Sequence, residues 1–164
     1  MRNKVLGRIV SNTMNVIKRN YSKLPEIGKI RYSKTHEYLR IEKIDGMNVG
    51  TIGISPYASK NLGEIIHNDM MVKENSSVVK GKIMGCLESV KTVNDIYFPV
   101  DCIVLEENKK AIEEPRIITE DPLGEGWLLK VCCINKNDKD LMDNEEYYKY
   151  VEEIKAQYKC NDTN

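Results

Sequence analysis

The sequence predicts a mainly-β domain trimmed with short helices. Apolar residues arrive in short runs broken by Gly, Pro, Asn and Asp, which is the pattern of strands and turns. Asp45-Gly46 separates two such runs, a strong hairpin signal. Helical spacing sustained over several turns occurs only near the two ends of the chain. The 164 residues fit one domain with a short appendage, long enough to bury a core without disulfide staples.

The first 25 residues hold six basic residues and no acidic one, leaving 19 basic against 25 acidic residues in the remainder. On a helical wheel Val5, Leu6, Ile9, Val10, Met14, Val16 and Ile17 share one half, and Lys4, Arg8, Lys18 and Arg19 the other. An acid-free, Arg-bearing amphipathic start is the composition of a mitochondrial targeting segment, and Arg19-Asn20-Tyr21-Ser22 is similar to a matrix-protease site. Residues 1–21 are therefore expected to be a removable leader to the mitochondrial matrix. Residues 22–30, with Pro25 and Gly28, read as a linker, and residues 31–160 as the domain.

Within the domain, Tyr38–Ile41 and Met47–Ile52 flank the Asp-Gly turn as a hairpin. Ser55 caps a short helix, Pro56 occupies its first turn and Gly63 closes it. Further strands are expected at Glu64–Met71, Ser77–Val79, Ile83–Val90, Val93 to Phe98 and Ile103–Leu105. The Glu120–Gly126 loop delivers Trp127 to a strand over Leu128–Ile134. Tyr147, Val151, Ile154 and Tyr158 then recur on one helix face. Asn144 is placed to cap that helix, with Glu145 and Glu146 in its first turn.

The formal net charge of +0 excludes a strongly basic nucleic-acid binder and an acidic disordered tail protein. No apolar run approaches the ~18 residues of a membrane span, so neither nucleic acid nor, in the mature form, a membrane is expected as a partner. Five cysteines, an odd number without a Cys-x-x-Cys pair, read as structural thiols in a reducing compartment. Neighbouring Cys132 and Cys133 point to opposite faces of a strand. His36 and His67 have no metal-ligand spacing with a cysteine, so no metal is expected. A Gly-x-Ser-x-Gly elbow is absent, and Gly81-Lys82 lacks the earlier glycine of a phosphate loop because residue 76 is Ser.

The informative stretch is Glu88-Ser89-Val90-Lys91-Thr92-Val93-Asn94-Asp95-Ile96-Tyr97, with one lysine between two β-prone runs. Taken alone, that is an exposed hairpin lysine, useful for solubility and against edge pairing. Four motifs in order say more. They are Thr35-His36-Glu37-Tyr38, the Gly53–Gly63 element, the stretch around Lys91 followed by Pro99-Val100, and the Glu120–Leu128 loop. Together they make residues 31–153 resemble the H-protein of the glycine cleavage system.

The resemblance implies a hybrid barrel-sandwich of two small antiparallel sheets with short peripheral helices and a C-terminal helix. It implies lipoic acid in amide linkage to Lys91 at a hairpin tip, with Glu88 as a recognition residue for the lipoylating enzyme. It implies a non-catalytic, monomeric carrier. That carrier takes an aminomethyl group from the pyridoxal-phosphate glycine decarboxylase and presents it to the tetrahydrofolate-dependent aminomethyltransferase. Its dithiol is reoxidised by dihydrolipoyl dehydrogenase. An alternative use is as a relay that passes lipoyl groups to other lipoate-dependent enzymes. Thr35, Glu37 and Asp95 match the cleft that shelters the loaded arm, where a carboxylate favours an ammonium; ordinary loop capping is the competing reading of Glu37 and Asp95. His36 is assigned only a structural role. Cys102 stands eleven residues after the lysine, where the family has Gly. Glycine there would permit positive φ and close approach by the lipoylating enzyme. Asn75 stands where the family often has Gly, and Asn tolerates the left-handed region. Tyr38 replaces a Trp but remains an amphipathic aromatic.

Overall fold

The computed structural model describes residues 28–44, 47–133 and 140–161. The expected leader, most of the linker, the Asp45-Gly46 turn and Ile134 lie outside them. Among the described residues, nine strands form two antiparallel sheets. The larger sheet runs in the order β1 (Ile30–Tyr32), β2 (Glu37–Ile44), β3 (Met47–Ile54), β9 (Leu129–Cys133), β8 (Cys102–Glu107), β5 (Ser77–Val78). The smaller has β6 (Ile83–Ser89) between β4 (Ile65–Met70) and β7 (Val93–Tyr97). The mainly-β architecture expected from the sequence is the one observed. Ile30, read as the last linker residue, is the first residue of β1, and the Gly28 N–H already reaches the Ile41 carbonyl at 2.9 Å.

Both sheets feed one core. Leu39, Ile41, Ile52 and Ile54 come from the β2–β3 hairpin, and Ile65, Met84, Leu87 and Ile96 from the small sheet. At about 1.5–3 kcal/mol per fully buried side chain of this size, such packing dominates stability. β2 and β3 pair antiparallel in register from Glu37↔Ile54 to Ile44↔Met47, the hairpin partners that the sequence predicts. Tyr38, fully buried, sits opposite Gly53, where any Cβ would fall 2.7 Å from the tyrosine ring.

Helix α1 (Pro56–Leu62) is built as its sequence dictates. Ser55 Oγ accepts the Ala58 N–H at 3.1 Å, and the Gly63 N–H closes on the Ser59 carbonyl. Gly63 has φ +78° and ψ −149°, a conformation essentially reserved for glycine. Two short helices within the connection from β8 to β9 were not placed individually by periodicity: α2 (Lys109–Glu113), capped by Asn108, and α3 (Ile117–Glu120). Each is about one turn long, too short to show a 3.6-residue pattern.

Helix α4 (Asn144–Asn161) departs from expectation at both ends. Its cap is Asp143, not Asn144. Asp143 Oδ1 accepts the Glu146 N–H at 3.0 Å, and Glu146 Oε2 accepts the Asp143 N–H at 2.9 Å, a reciprocal capping box. Tyr147 and Val151 are buried as predicted, but Tyr158 is 67 % exposed because the helix outruns the body it packs on. The helix is moored by a two-way backbone bridge between Tyr32 and Met142 and by the Tyr32 and Tyr147 rings, stacked 4.2 Å apart. Among the described residues no helix is long and apolar enough to cross a membrane.

Cys102 corrects a second expectation. It lies on β8 opposite Cys133, is 0 % exposed, and is not among the positive-φ residues. Its thiol faces the core, and burial pushes its pKa well up. A side chain so placed cannot touch a docking enzyme. Asn75, by contrast, does adopt the left-handed region, at φ +66°.

Candidate functional site: a lysine on a braced hairpin

The β6–β7 hairpin owes its stiffness to β6, which is paired along both edges, Cys86 with Asp69 on one side and with Asp95 on the other. At the tip the chain turns through Val90, Lys91 and Thr92. Ser89 organises the turn from inside: its N–H donates to the Thr92 carbonyl at 2.8 Å, and its buried Oγ accepts the N–H groups of both Lys91 and Thr92 at 3.2 Å. This is a side chain doing locally what a backbone carbonyl would do in a longer ladder. From outside, the Val90 N–H donates to the Glu64 carbonyl at 3.3 Å.

Lys91 is exposed and, among the described residues, makes no ion pair. Its Nζ lies 3.6 Å, and its Cε 3.7 Å, from the point a Gly63 Cβ would occupy. The amine therefore ends in open space on a glycine floor, while its own backbone is pinned from two sides. Val90, 71 % exposed, and Val93, 59 % exposed, flank it with apolar surface.

Residues opposite one another in an antiparallel sheet share a face. One cross-strand row is His67, Glu88 and Val93; the next is Asp69, Cys86 and Asp95. Leu87, one residue away, points into the core, so these two rows point out. Glu88 and Asp95 therefore stand on one outer face that leads to Lys91. The electrostatics of that face register on Cys86, whose thiol is pushed up by desolvation and then by the carboxylates of Asp69, Asp95 and Glu88.

Thr35 and Glu37 are brought together elsewhere, at the far end of β7. Glu37 is 1 % exposed. One of its oxygens accepts from the hydroxyls of Ser33 and Thr35, and the other accepts the Tyr97 N–H at 2.9 Å. A carboxylate offers about four acceptor sites; three are filled by the chain itself, and one remains on the oxygen facing Tyr97. Glu37 thereby caps the edge of β7, a structural duty. At about 3.3 Å per residue, Asp95 lies about 13 Å along the chain from Lys91 and Tyr97 about 20 Å. Of the three cleft candidates, Asp95 and Thr35 are exposed and Glu37 is buried, with Glu37 joined to β7 through the Tyr97 N–H.

His36 takes the left-handed conformation, φ +75°, and is half buried. Its Nδ1 lies 2.8 Å from the Tyr147 hydroxyl, which lies 2.6 Å from Ser55 Oγ. Burial holds the imidazole below its ordinary pKa, with the Glu37 carboxylate pulling the other way. The structural role expected of His36 is visible here: it ties β2, α1 and α4 at one point. Sequence reasoning missed two residues of the site. Ser89, two positions before Lys91, carried a readable signal as a turn-forming serine. Thr119, which holds the Gly63 turn through long-range bonds, carried none.

The sequence model of the glycine cleavage H-protein family matches residues 30–154. The chain is 39 % identical over 125 residues to the glycine cleavage system H protein of Carboxydothermus hydrogenoformans, covering 76 % of this chain and 92 % of that protein. It is 40 % identical over 124 residues to the one from a Synechococcus strain, covering 75 % and 92 %. The crystal structure of a glycine cleavage system H protein from Mycobacterium marinum superposes with a TM-score of 0.64 at 30 % identity, covering 76 % of this chain and 95 % of that one.

Proposed function

The chain belongs to the glycine cleavage H-protein family, and from that premise we propose that Lys91 is the residue that carries its lipoyl group. The family role is that of a lipoyl carrier in glycine cleavage, with lipoate covalently attached to a lysine. What supports Lys91 is its setting: an exposed amine without an ion pair, at the tip of a hairpin whose Val90 and Lys91 amides are both held.

When attached, the group would supply a disulfide whose S–S bond opens as one sulfur takes the aminomethyl group, and a dithiol to be reoxidised once that group has been passed on. The chain's own residues do the presenting. Ser89 and the Glu64 carbonyl fix the anchor, so the arm sweeps a defined volume and its effective concentration at each partner is set by arm length alone. Glu88, one cross-strand row from the tip, is the recognition residue we assign to the lipoylating enzyme. Asp95 and Thr35 offer exposed acceptors to an ammonium on the loaded arm, and Glu37 adds a fourth acceptor site and a buried negative charge behind them. A charged acceptor both holds an amine and keeps it protonated. The partners of this reading are glycine decarboxylase, aminomethyltransferase, dihydrolipoyl dehydrogenase and a lipoylating enzyme. We further assign the carrier to the mitochondrial matrix, supported by the acid-free amphipathic segment that precedes the family match at residue 30.

Intact mass of the native protein tests the reading. Lipoylation at Lys91 predicts one lipoyl increment that Lys91→Arg abolishes. The substitution is at an exposed tip, so stability should change by no more than about 0.5 kcal/mol. An increment that survives in Lys91→Arg refutes the assignment.

A further inference from the structure

We infer that Thr119 is a positioning residue for Lys91, acting through the Gly63–Ile65 turn; this rests on Lys91 being the attachment site. Thr119 Oγ1 donates to the Gly63 carbonyl at 2.9 Å and accepts the Ile65 N–H at 3.2 Å. One hydroxyl on α3 thus satisfies both backbone groups that flank Glu64. Between those two bonds, the Glu64 carbonyl receives the Val90 N–H, the residue before the lysine. The Thr119 carbonyl is itself held by Ser59 Oγ at 3.1 Å, and Arg116 on the same turn reaches Glu64 Oε1 at 2.7 Å. The turn is therefore clamped to α3 on one side and to the hairpin tip on the other.

Gly63 adds the second half of the brace. Its φ of +78° and ψ of −149° need glycine, and the end of the Lys91 side chain lies at ordinary contact distance from where its Cβ would stand. Thr119 is more than fifty residues in sequence from the turn that it holds, so the brace forms only in the folded protein. An attaching enzyme that binds a preformed hairpin would then meet its substrate already shaped. Without the brace, a smaller fraction of molecules presents Lys91 correctly. Apparent affinity falls in proportion to that fraction, while the chemical step is untouched. In that step the neutral Lys91 Nζ attacks the carboxyl carbon of an ATP-derived lipoyl adenylate. The amide forms, AMP leaves, and the nitrogen gives up a proton to solvent.

The test uses the full chain without its lipoyl group, an ATP-dependent lipoate ligase and free lipoate, with product followed by intact mass. Thr119→Val keeps the shape and removes the hydroxyl; Thr119→Ser keeps the hydroxyl. The expected result for Thr119→Val is a KM for the protein substrate raised roughly tenfold, about 1.4 kcal/mol, with kcat within about twofold and restoration in Thr119→Ser. Exchange of the Val90 amide hydrogen should accelerate in parallel while the Leu87 amide stays protected. A change confined to global stability, with KM and Val90 exchange unaltered, overturns the proposal, as does a Thr119→Ser variant no better than Thr119→Val. If Thr119→Val does not fold, the wild-type protein decides: a Val90 amide exchanging as fast as an unstructured peptide refutes the brace. Lys91→Arg run alongside separates the two readings. Lipoylation persisting there refutes the attachment site, whereas a blocked Lys91→Arg with normal Thr119→Val kinetics refutes the brace alone.

Discussion

Replacing Tyr147 by phenylalanine deletes one oxygen atom, and the structure says what that oxygen connects. The Tyr147 hydroxyl sits between Ser55 Oγ at 2.6 Å and His36 Nδ1 at 2.8 Å, and Ser55 Oγ also accepts the Ala58 N–H. Loss of the hydroxyl removes two hydrogen bonds, each worth about 0.5–1.5 kcal/mol net. It also leaves the Ser55 hydroxyl, fully buried, one hydrogen-bond partner short, and an unsatisfied buried polar group costs about 1–3 kcal/mol. These costs overlap, giving about 2–3 kcal/mol for Tyr147→Phe. The ring stack with Tyr32 is retained, so packing is nearly constant. Urea denaturation at pH 7.5 should show the midpoint falling with an unchanged m-value, and the melting temperature should drop by about 10 °C. A loss below about 0.5 kcal/mol would mean that the hydroxyl is not a junction between hairpin, helix α1 and helix α4.

Other outcomes follow from the same contacts. Because burial lowers the His36 pKa below the unfolded 6.5, the unfolded state takes up the proton first. Stability contributed by neutral His36 is therefore full above pH 6.5 and is lost as pH falls below it; His36→Gln should flatten that part of the curve between pH 6.5 and 5, and an identical slope would contradict it. Cys102→Gly should lower stability by about 1–2 kcal/mol by opening the core and loosening β8, with lipoylation unchanged by intact mass. A faster lipoylation in that variant would restore the idea of contact with the enzyme. Asp95→Asn should leave stability within about 0.5 kcal/mol but release formaldehyde from the aminomethylated protein roughly 10- to 100-fold faster, since a charged hydrogen bond is worth about 1.5–3 kcal/mol. Glu37→Gln should speed that release and also destabilise the fold, because its donors are Ser33, Thr35 and the Tyr97 N–H; release at the wild-type rate in both variants returns the two residues to structural duty.

What was legible in the sequence was what is local. Asp-Gly between alternating runs, and Ser-Pro closed by Gly, name a hairpin and a helix within ten residues each, and both are there. The cap of α4 was missed by one position although the signal was present. Asp143 has Glu146 three residues on and can form a capping box, whereas Asn144 has Tyr147 there and cannot. At Cys102 the family's glycine suggests turn geometry. The alternation of Cys102 with Val104 already places both on the inner face of a strand. Burial of Glu37 could not be read, since a charged residue in a β-prone run is ordinarily placed outside. Its donors come from residues 33, 35 and 97, and the last of these is joined to it only by the fold.

Division of labour between the two sheets explains why the lysine sits on the smaller one. The larger sheet has six strands, and both β2 and β3 lie inside it, so the register of each is tied along two edges. In the three-stranded sheet only β6 is central, and the hairpin it starts turns at Val90–Thr92 with Lys91 exposed. An exposed turn alone would give a mobile tip. The tip is stiffened by borrowing contacts that do not cover it: Ser89 from within the turn and the Glu64 carbonyl from the end of α1's closing loop, both acting on backbone amides and leaving the amine untouched. A side-chain contact would have held Lys91 equally well but would have occupied the amine to which we assign the lipoyl group. Anchoring through the backbone separates the two demands, a fixed position for the residue and a free nitrogen for the chemistry.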